Sequence, residues 1–569
     1  MNNTFIVLGI SNNHNGSIAL ICDGEVKSAI QAERISRCKR QSLPLGEEIK
    51  LVHESVRYCL NASGFQYQDI DAIALSTSWS VEKINTTDLF QYIGGIPENY
   101  IKTFYVPHHL SHMEYIVHYG NLEPGIVLVI DGSGSLEEDR LIFNVEEEYH
   151  SQIINHIHFT PSTILRPREA ISAYWFDGLK SSLIYRFSPA WLEDNTFRLL
   201  QSIGHYWEWA SMYCCDSRNE AGKVMGLAAF GEKERIIEHD ILSITDNGKL
   251  NLDFQQLHKS FKNPNTSCSD LSDNKHCQNL ALKVQSETET VIMKLLNILK
   301  AKFPTETLYL SGGVALNVIV NEKIKNSNIF KNVILNGSVE DNGTAIGAAL
   351  AASIKLSYKR KTSAITDYYG RVYDQEEIME AISQHDFPHE ILNQERTFEV
   401  AADLIAKEKV LGWFQGRSEF GPRALGNRSI LANPTSPDTK YILDNYIKCR
   451  DRYRPYAPVV IEERACQYFD IDSSSPVMMR NVKVLDKKLV AVTHFDETAR
   501  VQTVNKKENE VLYSLLLEVE KSTGYPVLLN TSFNLPSEPI VESPHDALST
   551  FSRGSLDYLF LGNIFISKF

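Results

Sequence analysis

No stretch of the 569-residue chain comes near the ~20 consecutive apolar residues that a membrane-crossing helix requires. The first residues, MNNTFIVLGISNNHNG, hold no basic stretch and no long apolar run, so no leader peptide is expected. The nine cysteines are odd in number and lack paired spacing. Cys214 and Cys215 are adjacent, which suits neither a disulfide framework nor a metal clip. These absences point to a soluble, cytoplasmic protein in a reducing compartment. Positive charge is also in deficit: 57 Lys and Arg stand against 71 Asp and Glu, a formal net charge of −14. Such a field repels a nucleic-acid backbone, so no nucleic-acid partner is expected, and no membrane partner either. Low-complexity tracts are missing. So is the G-x-x-x-x-G-K-[ST] order of a Walker phosphate loop.

The length suffices for two or more domains with large cores. Residues 5–10 form an apolar run, NNHNG turns, 17–22 form a second run, Asp23-Gly24 reads as a hairpin turn and 25–30 as a third strand. The pattern returns with an apolar strand at 126–130, the turn DGSGS, and alternating segments at 140–145 and 151–156. Two copies of strand, polar turn, strand, strand predict a duplicated fold of the actin-like kind, by analogy of architecture. Val284, Val291, Leu295, Ile298 and Leu299 recur at helical spacing. In TLYLSGGVALN a strand ends in Gly312-Gly313 and opens a helix, which aims backbone N–H groups at an anion. EDNGTAIGAAL repeats that arrangement with a small-residue helix from Gly343. EAGKVMGLAAFG, residues 220–231, crowds glycines around Lys223; taken alone it reads as a helix start that packs closely on a neighbour. The polar, irregular composition of 356–370 marks a linker between a first domain, 1–355, and a second, 371–569.

Three constellations carry chemistry. His108 and His112 stand one helical turn apart, and Asp131 and Asp341 each follow an apolar strand at a turn. Two His and two Asp suit Fe(II), Zn(II) or Mn(II). An Asx turn at Asp131 and a helix N-cap at Asp341 are the plainer readings. WFQGRSEFGPRALGNRSIL places Arg417, Arg423 and Arg428 among glycines, and arginines bind phosphate bidentately. KCRDRYRPYAP holds Lys448, Arg450, Arg452 and Arg454, a run that needs an acidic ligand or a set of ion pairs. TARVQTV adds Arg500 and Gln502, and LLNTSFN ends a strand in Asn530, Ser532 and Asn534.

With these residues assembled, the sequence resembles the O-carbamoyltransferases of antibiotic biosynthesis and nodulation-factor modification, the NodU/CmcH type. ERISRCK, HHLSH, EAGKVMGLAAFG, SGGVALN, DNGTAIGAAL, WFQGRSEFGPRALGNRSIL, RPYAP, TARVQTV and LNTSFN occur in that family's order, over essentially the whole chain. The resemblance implies an α/β protein. An N-terminal duplicated actin-like domain (the ASKHA class, like the threonylcarbamoyl-tRNA transferase) would be joined to a C-terminal YrdC-like α/β domain. The K-x-R and S-x-N pairs of the latter are matched by Lys448/Arg450 and Ser532/Asn534. It implies that the C-terminal domain makes carbamoyl adenylate from carbamoyl phosphate and ATP (with Mg²⁺), and that the N-terminal domain transfers the carbamoyl group to a hydroxyl of a small-molecule natural product. His14 would be the base, with Lys448 and Arg454 catalytic in the first step. His108, His112, Asp131 and Asp341 would hold the metal, Fe(II) foremost. Lys39, Ser133, Glu220, Lys223, Gly312, Gly313, Asn317, Arg417, Arg423, Arg428, Arg450, Arg500, Ser532 and Asn534 would bind substrates or nucleotide. A homodimer is implied as well. Met113, Glu114 and the DGSGS turn depart from the family pattern and bear on the acceptor. The rival readings are an actin-like ATPase serving as a regulatory module, which the Lys448–Arg454 run argues against, and tRNA threonylcarbamoylation, which the net charge argues against.

Overall fold

Ile6–Ser11 (β1) is buried along its whole length, which is why its sequence runs apolar instead of alternating. The neighbouring strands are β2 (Ser17–Cys22), β3 (Glu25–Gln31), β4 (Ala72–Thr77) and β5 (Lys102–Pro107). β1 pairs antiparallel with β2, Ile6 opposite Cys22, and parallel with β4, Val7 opposite Ala72; β4 and β5 are parallel. Asp23 and Gly24 both take left-handed backbone (φ 50° and 79°), the geometry of a tight hairpin. The coordinates come from a computed structural model that describes residues 4–43, 49–78, 101–135, 154–157, 167–189, 191–193, 198–232, 239–253, 256–257, 271–356, 358–361 and 367–568. No helix among them is long and apolar enough to cross a membrane.

The chain forms two compact units. The first contains 1–26, 43–49 and 67–364. Its first sheet has the order β3-β2-β1-β4-β5, β3 belonging to the unit only through Glu25 and Val26. Helix α1 (His108–Tyr119) then leads to β6 (Gly125–Ile130), β7 (Ile154–Ile157), β8 (Ile171–Phe176) and β9 (Ser181–Ser188). Helix α2 (Lys275–Lys302), strands β10 (Thr307–Ser311) and β11 (Asn332–Ile334) and helix α3 (Thr344–Lys355) complete the unit's main elements. The second sheet runs β11-β10-β6-β8-β9-β7. β6 pairs antiparallel with β8 and parallel with β10, and β8 pairs antiparallel with β9. This repeats the first sheet's connectivity, with β7 added at one edge. The mixed α/β duplication expected from the sequence is therefore present, but its second copy is built differently. Residues 140–145 lie outside the described residues. Only 154–157 of the second expected segment are described, as the edge strand β7. The meander is β8 and β9, joined by the four-residue loop 177–180, in which Gly178 (φ 102°) is left-handed and the Asp177 N–H donates to the Lys180 carbonyl.

The small-residue helix α3 exists to approach its neighbours closely. A Cβ at Gly347 would stand 1.7 Å from the Ser111 carbonyl of α1, and one at Gly9 2.0 Å from the Ala345 carbonyl. Gly347→Ala is expected to destabilise the protein by about 3 kcal/mol, because backbone must move to admit the methyl group. Gly222, with nothing within 4 Å of its Cβ position, is the control: Gly222→Ala should be neutral or stabilise by up to about 1 kcal/mol. Chemical unfolding of the two variants checks this, and equal midpoints would contradict the close crossing.

The second unit corrects the expected domain division. It is not 371–569 alone but 27–42, 50–66 and 365–569. Arginines tie the early segments in. Arg34 donates to the Gly421 carbonyl at 2.6 Å, Arg37 to the Ile540 and Pro539 carbonyls at 2.7 and 3.0 Å, and Arg417 to the Lys27 carbonyl at 2.6 Å. A nine-stranded mixed sheet forms its centre. Its inner strands are β12 (Leu411–Phe414), β13 (Arg428–Ala432), β14 (Ala457–Ile461), β15 (Thr498–Val504), β16 (Val527–Ser532) and β17 (Tyr558–Leu561), in the order β17-β12-β13-β16-β14-β15. Successive side chains alternate between two cores. Leu411 and Trp413 pack with Leu515 and Ile405 on one face, while Phe414 and Ile430 pack with Leu548 and Phe551 on the other.

Candidate functional site

In the first unit, β5 ends in Pro107, whose extended backbone (ψ 142°) feeds straight into α1. Proline offers no side-chain cap, and the Ser135 hydroxyl accepts from the His108 N–H instead, at 2.9 Å. The first turn of α1 therefore carries His108 and His112 on one side, their Nε2 atoms 3.2 Å apart and their rings edge to face at 88°. Asp131, at the end of β6, brings Oδ2 to 3.1 Å from His108 Nε2, and Asp341 brings Oδ1 to 3.4 Å. One ligand-type atom from each of the four lies within 4.8 Å of all the others, and all four residues are buried. The Gly313 N–H donates to Asp131 Oδ1 at 3.2 Å and the Ser311 hydroxyl lies 3.4 Å from His112 Nδ1. Both aspartate carboxylates face histidines, and Asp131 also receives the first N–H of the short helix Gly313–Leu316.

The electrostatics are those of a cation site. Burial and then the neighbouring His108 push His112 down to about 4, which keeps its lone pair available. Burial and the Asp341 charge would raise Asp131, but His108 outweighs them and holds it at about 2; Asp341 is held well below the usual carboxylate range by His14 and His108 against its burial. Two charged carboxylates and a neutral imidazole, converging with His108, fit a divalent ion of the Fe(II), Zn(II) or Mn(II) kind. His14, on the turn after β1, places Nδ1 3.1 Å from Asp341 Oδ2 with 58% of its side chain exposed.

The other first-unit residues are less concentrated. Gly312 is left-handed (φ 90°), and a Cβ there would stand 2.3 Å from the Ile130 carbonyl, so glycine serves a close crossing as well as any ligand. Asn317 caps the helix Val318–Asn326, accepting from the Val320 N–H at 3.1 Å, and is bonded to Gln285 at 2.8 Å. Lys223 is half-buried on the helix Ala221–Leu227, 3.8 Å from Glu220. EAGKVMGLAAFG is thus a helix and a tight turn that rests on α2, where a Cβ at Gly231 would meet Leu282 at 2.5 Å. Ser133 is half-buried on the turn after Asp131.

In the second unit the cations converge. A π-helical turn, Leu443–Ile447, leads into Lys448, and Cys449 (φ 42°) separates it from Arg450 in left-handed backbone. Lys448 Nζ donates to the Ser532 carbonyl (2.8 Å), the Asn534 carbonyl (3.0 Å) and Asn534 Oδ1 (2.6 Å). Burial, then Arg450, Lys39 and Arg454, hold the Lys448 pKa well below its ordinary value. Burial, then Arg423, Arg450 and Arg454, do the same to Arg500. So Lys39 bears on Lys448, Arg423 on Arg500, and Arg450 and Arg454 on both. Arg450 lies over the Tyr456 ring at 3.6 Å and 3.7 Å from Asp444, two partners the sequence reading missed; the acidic residue four before Lys448 was the available signal. Arg417 and Arg428 give donors to backbone carbonyls. Arg417 donates to the Gly370 and Lys27 carbonyls. Arg428 is fully buried, donates to the Gln415 and Glu542 carbonyls and lies 3.5 Å from the Phe414 ring centre. The glycine-rich loop closes on the Glu419 carboxylate, which accepts from the Leu425, Asn427 and Arg428 N–H groups.

Comparison with known proteins matches residues 6–104 and 101–350 to the family described as "Carbamoyltransferase N-terminus", and residues 402–568 to "Carbamoyltransferase C-terminus". Nodulation protein NolNO of Sinorhizobium fredii is 30% identical over 98% of this chain and 79% of its own length. Nodulation protein NolO of Bradyrhizobium diazoefficiens is 34% identical over 61% of this chain and 65% of its own. Among solved structures, full-length HypF in a phosphate- and nucleotide-bound form is 12% identical, with a TM-score of 0.40, covering 63% of this chain and 56% of that one.

Proposed function

We propose a two-step reaction whose premise is plain: the chain belongs to the carbamoyltransferase family and is a carbamoyltransferase. In the proposed first step, the second unit converts carbamoyl phosphate, ATP and water into carbamoyl adenylate, phosphate and pyrophosphate. In the second step, the first unit moves the carbamoyl group to the hydroxyl of a small-molecule acceptor and AMP leaves. One observation carries the reading: the two units hold chemically opposite sites. Lys39, Arg423, Lys448, Arg450, Arg454 and Arg500 outnumber the acidic Asp444 and Glu538 beside them, and a polyanion such as carbamoyl phosphate or a triphosphate would relieve the repulsion felt by Lys448 and Arg500. The buried His108, His112, Asp131 and Asp341 set would hold a divalent cation, which supplies Lewis-acid stabilisation to phosphate or carbonyl oxygen. Beside it, His14 is exposed enough to meet an acceptor hydroxyl, and Asp341 fixes its orientation.

The test is mass spectrometry of hydroxylated metabolites incubated with enzyme, ATP and carbamoyl phosphate. A product heavier by one carbamoyl group is expected, with both co-substrates required. Turnover that proceeds without carbamoyl phosphate would sink the reading. The metal makes its own prediction. His108→Ala removes the ligand that bridges both carboxylates, and is expected to lose bound metal on dialysis and to stop transfer. Metal analysis of the two purified proteins checks this; full metal content in the variant would remove His108 from the centre.

A further inference from the structure

Asp444, buried in the π-helical turn of the second unit, gathers the groups around Arg450. Its Oδ1 accepts from the Tyr456 hydroxyl at 2.8 Å and its Oδ2 from Lys440 Nζ at 2.9 Å. Its backbone carbonyl accepts from the Arg450 N–H at 3.1 Å, and Oδ1 stands 3.7 Å from Arg450 Nε. Lys440 Nζ also donates to the Arg452 carbonyl at 2.9 Å and to the Arg454 carbonyl at 3.3 Å. One lysine thus ties the carboxylate to the backbone of 452–454, and the carboxylate ties Tyr456 to the turn. Tyr456 is itself buried and leads straight into β14, so its ring stands on the edge of the central sheet.

The Arg450 guanidinium lies in the space that these groups bound. Its central carbon is 3.6 Å from the centre of the Tyr456 ring, and Nη2 donates to the Pro455 carbonyl at 2.9 Å. The fork is therefore covered on one face by the ring, held at one corner by a carbonyl, and faced on its Nε side by a carboxylate. A planar group held in three places has its orientation set. Charge alone needs no such arrangement, because an ammonium attracts an anion from any direction. A fork that meets two phosphate oxygens at once does need it. Resting on the reading that the second unit forms carbamoyl adenylate, we propose that Tyr456 and Asp444 are positioning residues for Arg450, holding its guanidinium plane in the orientation in which the fork meets phosphate oxygens. Neither residue touches the substrate; both act through Arg450. The ordering is complete before the anion arrives, so binding free energy is not spent on freezing a long side chain.

Pyrophosphate release from ATP and carbamoyl phosphate by the full chain tests this through a double-mutant cycle. Arg450→Ala is expected to lower kcat/KM by about 10²–10³-fold, the size for one preorganised donor. Tyr456→Leu is expected to lower it about 10-fold, because a partly desolvated cation–π contact shifts the population of one orientation by about that factor. In the Arg450→Ala background the same substitution is expected to change kcat/KM by less than about twofold, since the group it acts through is gone. Asp444→Asn keeps the shape of the side chain and removes its charge. It is expected to show the same pattern, and decides the question where Tyr456→Leu does not fold. No loss in the wild-type background, or equal losses in both backgrounds, would show that these residues only hold the turn together, and overturns the proposal. A wild-type rate in Arg450→Lys overturns it as well, because charge without a plane would then suffice. An unchanged rate in Arg450→Ala overturns the reading of the second unit's site, and the role of Tyr456 and Asp444 with it.

Discussion

Arg454→Ala is expected to slow carbamoyl-adenylate formation by about 10²–10³-fold while transfer from supplied carbamoyl adenylate keeps its wild-type rate. The size is that of one preorganised donor lost from a site where charge develops. Arg454 is half-buried in the second unit, and its charge acts on both Lys448 and Arg500. Cations that repel one another in this way are unfavourable alone and become favourable together when a polyanion arrives. Each therefore contributes more to the bound transition state than to the free protein, and a variant lacking one loses rate more than stability. Arg454 suits this test better than Lys448, whose ammonium also binds the Ser532 and Asn534 carbonyls and so holds the end of β16 in shape. Pyrophosphate release from ATP and carbamoyl phosphate measures the first step. Carbamoyl transfer from synthetic carbamoyl adenylate measures the second. Equal loss in both would contradict the assignment of the two steps to two sites.

The same residue type in the same neighbourhood of sequence behaves otherwise at Arg428 and Arg417, and this marks where sequence reading ran out. Glycines around arginines read as a phosphate loop. Yet Arg428 gives Nε and Nη1 to backbone carbonyls and lies over Phe414, and the loop is organised by Glu419. Nothing in residue type separates these arginines from Arg450 or Arg454; only the carbonyls they meet do, and those are set by tertiary packing. The second unit's early segments were hidden for the same reason. Arg34 reaches Gly421 across 387 positions of sequence, a distance at which no local pattern speaks. What local patterns did carry was the placing of chemistry at strand ends. His108 and His112 are legible from their one-turn spacing, and Asp131 from the apolar run it terminates, because both follow from element geometry alone. The second meander lay between. Its loop, 177–180, is longer than the Asp23-Gly24 turn and only Gly178 in it is left-handed, so the two hairpins share no turn signature, and the alternation at 140–156 stands nearer to the DGSGS turn.

His14→Ala should reverse the pattern of Arg454→Ala. Acceptor carbamoylation is expected to fall by about 10²–10⁴-fold, the usual contribution of a general base, while pyrophosphate release is unchanged. The geometry is that of an oriented base: Nδ1 lies 3.1 Å from Asp341 Oδ2, so an Nδ1–H donates inward and leaves Nε2 turned away from the carboxylate. Burial lowers the His14 pKa, but Asp341, with Glu340 and Asp131 behind it, outweighs this and raises it to about 9. The sign has a consequence. Below that value the Asp341 charge keeps His14 protonated in the metal-free protein, and a protonated ring cannot accept the acceptor's proton. A cation held among His108, His112, Asp131 and Asp341 would offset the charge that holds the proton and bring the pKa down toward the ordinary histidine range. In the metal-loaded wild type, transfer should therefore rise with pH through a limb that lies below about 9, and His14→Ala should lack that limb as well as the rate. A folded His14→Ala enzyme that transfers at the wild-type rate with the limb intact would refute the assignment, and would leave an oxygen of the departing AMP phosphate as the group that takes the proton.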